Sequence, residues 1–116
     1  MRTRLARILG IVAMLAAGAA AAHARLLGST PAEGDNLTTA PKSLTLKFNE
    51  SVRLAMLKLI VDGRSIPIAV DTSVAASSVV TVALPPLSAG LYAVRWSALT
   101  PSDGHVVKGG YSFMVR

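Results

Sequence analysis

The 116-residue sequence predicts an all-β fold, a sandwich or a Greek-key barrel, and three observations carry that expectation. Apolar and polar residues alternate with a period of two in several short runs. Turn signals built on Gly, Pro and Asp separate those runs. After the first 22 residues, no stretch shows the period of an amphipathic helix.

Taken in order, the segment Ser29 to Asp35 reads as turn chemistry, because Pro31 fixes φ and Gly34 permits positive φ. Ala40-Pro41 is a second break. From Ser43 to Asn49, Leu44, Leu46 and Phe48 point one way and Thr45 and Lys47 the other, as in a half-buried strand. Met56 to Asp62 forms another, with Leu57, Leu59 and Val61 on one face. Asp62-Gly63 is a hairpin signal that feeds a short strand near Ser65 to Val70. Ser78 to Leu84 is β-branched and apolar, and Pro85-Pro86 ends it. Gly90 to Ser97 alternates through Tyr92, Val94 and Trp96, and Gly110 to Arg116 through Tyr111, Phe113 and Val115. Five or six strands result. The expected core is Leu44, Leu46, Phe48, Leu59, Val61, Val82, Val94, Trp96, Phe113 and Val115. Leu87 to Tyr92 has the form of a tyrosine corner, in which the hydroxyl ties back to upstream backbone.

The N-terminus reads differently. Arg2, Arg4 and Arg7 precede an uncharged run from Ile8 to Ala22 that is short of the ~20 residues a bilayer span needs. Residues 1–22 therefore read as a secretory signal peptide, and residues 23–116 as one β-domain. Two cuts satisfy the A-x-A rule. One follows Ala22 and makes His23 the first residue; the other follows Ala24. The leader carries three of the twelve basic residues, leaving nine against six acidic ones. These nine are dispersed, with no interleaved aromatics, so nucleic-acid binding has little support. The absence of cysteine excludes disulfides, thiolate metal sites and thiol catalysis. No second apolar run follows the leader, so no membrane span is expected in the mature chain.

Only two histidines occur, His23 and His105. Asp103 lies two residues before the second, in a segment read as a Pro101 to Lys108 loop. Residues at i and i+2 share a side of an extended chain, so Asp103 and His105 can converge while Gly104 lets the backbone bend. A lone D-x-H is most often a polar turn. Cleavage after Ala22 adds to it, because an N-terminal His23 offers both an α-amine and an imidazole. Three nitrogens and one carboxylate oxygen suit the tetragonal preference of Cu(II).

Around these residues the sequence resembles the CopC-type periplasmic copper-resistance and copper-binding family. His23-Ala24-Arg25-Leu26 followed by Ser29-Thr30-Pro31-Ala32 is similar to that family's opening. Leu44 to Phe48 with Asn49-Glu50-Ser51-Val52, Leu87 to Trp96, and Ser102 to Val115 around Asp103-Gly104-His105 resemble its other blocks. The resemblance implies a seven-stranded Greek-key (Ig-like) barrel and a Cu(II) site of His23, Asp103 and His105. It implies copper homeostasis or resistance in the periplasm. It also implies a CopD-type inner-membrane copper transporter as a partner, expected to be a separate chain because this one ends at Arg116. Some members add a methionine-rich Cu(I) site. Here Met56 and Met114 alone follow the leader, so that site is not carried over, and Glu50 is given no ligand role.

Three function classes compete: a copper carrier or buffer, an Ig-like adhesion or assembly module without a working metal site, and an oxidative copper enzyme. The last needs an open metal position, which Asp103 would fill. The expectation is a binding protein and not an enzyme.

Overall fold

The computed structural model describes residues 24–116, so the expected leader and His23 lie outside the described residues. Seven strands and no helix are present among the described residues: β1 (Leu26–Thr30), β2 (Asn36–Leu37), β3 (Ser43–Val61), β4 (Arg64–Ile68), β5 (Ser77–Ala83), β6 (Gly90–Thr100) and β7 (His105–Val115). The all-β expectation holds; the seven strands match what the resemblance implies and exceed the five or six read from the residues themselves.

One long strand organises the fold. β3 runs for 19 residues where the sequence suggested two separate strands. Its first half pairs antiparallel with β1 on one side and β5 on the other. Its second half pairs antiparallel with β4 and β6. β6 continues to β7, and the short β2 adds to β7 in parallel. The sheet therefore curls on itself, and β3 belongs to both halves.

The two runs of β3 have opposite phase, which explains the sequence reading. Leu44, Leu46, Phe48, Val52 and Leu54 are buried at even positions; Leu57, Leu59 and Val61 are buried at odd ones. Between them Ala55 and Met56 are both exposed, and the β3–β6 register shifts between Leu54 and Met56. This is a β-bulge, which inserts one residue and restores the core face after the strand bends.

All ten expected core residues are buried, and Tyr92, Leu57, Val52 and Tyr111 join them. Phe48 and Trp96 meet edge to face at 5.2 Å, and Tyr92 and Phe113 stack at 5.5 Å. Trp96 lies over Gly109, where a Cβ would come within 2.8 Å of the indole, so glycine is the residue that lets this ring close the barrel. Burial pushes the Tyr111 phenol above its ordinary range, and the Ser29 hydroxyl partly offsets this.

The turn chemistry behaves as physical reasoning requires. Asp62 and Gly63 both take positive φ, 50° and 71°, as a two-residue type I′ hairpin demands. The Tyr92 hydroxyl donates to the Ser88 carbonyl at 2.6 Å, closing the expected corner. Tyr92→Phe should lose about 1 kcal/mol of stability with no change in secondary structure. Denaturant unfolding followed by circular dichroism checks this; an unchanged midpoint would mean that the corner bond contributes nothing.

Three boundaries differ from expectation. β1 extends through Ser29 and Thr30, so the turn begins only at Pro31. β2 was not foreseen. β6 and β7 run on to Thr100 and back from His105, which shortens the loop between them to four residues.

Candidate metal centre

The short connection between β6 and β7 builds the candidate site. Thr100 and His105 are paired across the hairpin, and Pro101 to Gly104 close it. The Thr100 carbonyl accepts the N–H groups of Asp103 at 3.4 Å and of Gly104 at 2.8 Å. Gly104 has φ +72°, left-handed backbone that glycine adopts without the penalty of a Cβ.

Asp103 and His105 do converge, but the sequence argument gave the wrong reason. They do not lie on one extended segment, because Asp103 is in the turn and His105 opens β7. Instead, Asp103 Oδ1 accepts the His105 N–H at 3.0 Å, an Asx-turn that folds the carboxylate back over the histidine. Asp103 Oδ2 then lies 3.3 Å from His105 Nδ1. Two bonds of ~2.0 Å at a right angle place their donors roughly 2.8 Å apart, so this spacing suits adjacent corners of one metal. The side chains are 58% (His105) and 36% (Asp103) exposed, so an ion reaches them from solvent without any part opening. Among the described residues no third His, Cys, Asp or Glu completes a metal-binding group with this pair. The expected contribution of His23 lies outside the described residues.

Two adjacent residues of β3, Asn49 and Glu50, tie the turn to the N-terminal arm. Glu50 Oε1 accepts the Ser102 hydroxyl at 3.1 Å. Asn49 Oδ1 accepts the Arg25 N–H at 2.8 Å, and the Asn49 N–H donates to the Arg25 carbonyl at 3.2 Å. Ala24 is buried in the core cluster just before this clamp. The carboxylate of Glu50, a residue expected from the sequence to have no ligand role, meets the Ser102 hydroxyl. Sequence reasoning missed Asn49, whose only sequence signal was its place beside Glu50.

The structure is a small all-β domain whose β6–β7 hairpin presents a solvent-open Asp–His pair, two donors that one metal could share. The CopC domain family model matches residues 26–116, and the chain belongs to the CopC family. It is 34% identical over 113 residues to copper resistance protein C of Pseudomonas syringae pv. tomato, covering 89% of this chain and 88% of that one. It is 33% identical over 118 residues to copper resistance protein C of Escherichia coli, covering 92% of each. Protein YobA of Escherichia coli strain K12 is 31% identical over 101 residues, covering 82% of this chain and 80% of that one. The crystal structure of CopC from Methylosinus trichosporium OB3b superposes with a TM-score of 0.64 at 28% identity, covering 80% of this chain and 93% of that one. Copper is thus the ion with which the family is associated.

Proposed function

We propose that this chain is an exported protein that binds one Cu(II) and buffers or carries it in the periplasm, in copper homeostasis or resistance. The donors are the α-amine and imidazole of His23, the imidazole of His105 and the carboxylate of Asp103. The observation that supports this most is the 3.3 Å Asp103–His105 pair, joined through Ser102, Glu50 and Asn49 to the N-terminal arm at Arg25.

Each donor has its own part. The His23 chelate anchors the metal, His105 adds the third nitrogen, and the Asp103 charge favours the +2 state. With these four donors bound, Cu(II) would have its strong positions filled by the protein, which favours carriage over catalysis. Metal binding needs deprotonated donors, so it weakens as the solution is made acidic. Met56 and Met114 lie on the same sheet three rows apart, which supports a Cu(II) site without a thioether pair for Cu(I). Among the described residues no helix is long and apolar enough to cross a membrane, and a separate CopD-type inner-membrane transporter is the proposed partner.

The test is the intact mass of the exported protein with a Cu(II) titration. The expected result is a chain beginning at His23 that takes up one equivalent. A chain beginning at Arg25 would lack two of the four donors and overturn the proposed site.

A further inference from the structure

The basic residues that are dispersed in the sequence are gathered by the fold. The outward face of β3, β6 and β7 is a ladder whose cross-strand rows are fixed by the register. One row is Met56, Ser97 and Lys108; the next is Lys58, Arg95 and Gly110; the next is Ile60, Ala93 and Ser112. Arg53, Leu99 and Val106 form the row nearest the Asp103–His105 turn. Arg53, Lys58, Arg95 and Lys108 thus stand on one face, and no Asp or Glu occupies any of these rows. Among the described residues none of the four has a carboxylate within ion-pair distance.

Lys58 and Arg95 are direct cross-strand partners. Like charges placed opposite each other repel and destabilise a sheet. Gly110, across from Arg95 on the other side, leaves room for the guanidinium: a Cβ there would come within 2.8 Å of Arg95 Nη1. Lys58, Arg95 and Lys108 line a shallow hollow of about 360 Å³ with Met56 and Ile60. Exposed apolar side chains share this face: Val106 at 64%, one row beyond Lys108, and Met114 at 40%, two rows beyond Gly110.

We propose that this face docks on an anionic phospholipid surface. Charge complementarity selects the anion, because four cations share this face and none of them is paired with a carboxylate. The broad, open sheet face and its rim of exposed aliphatic side chains select a bilayer, whose interface takes up cations and apolar groups together. Docked this way, the β6–β7 hairpin lies along the membrane with its metal-binding turn at one end. The proposal does not depend on copper.

The test is sedimentation of the processed, metal-free protein with phosphatidylcholine vesicles, with and without phosphatidylglycerol. Binding is expected only where phosphatidylglycerol is present, and it should be lost when salt rises from 50 to 500 mM. The triple variant Lys58→Gln, Arg95→Gln, Lys108→Gln should lower the partition coefficient roughly a hundredfold. Its melting temperature should equal or exceed that of the parent, since a repulsive pair is removed. A matched triple variant off this face, Lys42→Gln, Lys47→Gln, Arg64→Gln, should keep most of the binding. Equal loss in both variants would reduce the effect to net charge and overturn the proposal. So would no binding at low salt, or binding to poly-glutamate but not to vesicles, which would assign the face to an acidic protein.

Discussion

Replacing His105 with Ala is expected to weaken Cu(II) binding by more than about 100-fold. Loss of an outer partner of a metal ligand already costs 10–100-fold, and His105 is proposed as a direct ligand. Extending the mature chain by one Met ahead of His23 should do comparable damage, because the α-amine becomes an amide and the chelate ring opens. Asn49→Ala should have a smaller effect, roughly tenfold, since it loosens the clamp on Arg25 without removing a donor. Competition titration against a chelator of known affinity reads all three. If His105→Ala and the extended form both keep the parent affinity, the metal is held elsewhere, and an adhesion or assembly role becomes the better reading.

Phe113→Ala is expected to lower the unfolding free energy by about 3–5 kcal/mol, the usual cost of deleting a fully buried aromatic ring. Phe113 is 1% exposed and stacks on Tyr92 at the centre of the barrel. With no disulfide to limit the unfolded chain, such a loss consumes much of the 5–15 kcal/mol that holds a domain of this size together. The neighbouring Met114, 40% exposed and pointing outward, is the control, and its replacement by Ala should change stability by less than about 1 kcal/mol. Urea unfolding followed by Trp96 fluorescence measures both. Equal effects at the two positions would contradict the assigned core face of β7.

The core was legible because period-two alternation is a local property. Each of the ten expected core residues announces itself through its immediate neighbours. What was not legible depends on long-range pairing. The bulge at Ala55–Met56 changes the phase of β3, so a local reading splits one strand into two. β1 contains Gly28, Ser29 and Thr30, residues of turn character that become a strand only because the β3 edge is there to pair with. β2 is two residues long and exists by pairing with β7. The Asp103–His105 pair was visible as a motif, yet its convergence comes from an Asx-turn that spacing alone does not distinguish from an extended chain. Asn49 could not be found, because its partner Arg25 is 24 residues away. The basic face was invisible for the same reason: Lys58, Arg95 and Lys108 become neighbours only through the register of three strands.

The most direct test of the copper site is electron paramagnetic resonance of the processed protein loaded with one equivalent of Cu(II). The expected spectrum is axial, with superhyperfine splitting from three nitrogens. It should fall to two nitrogens in His105→Ala and change again in the form extended ahead of His23. A parent spectrum with splitting from fewer than three nitrogens, or one that neither variant alters, would contradict a centre built from His23, Asp103 and His105.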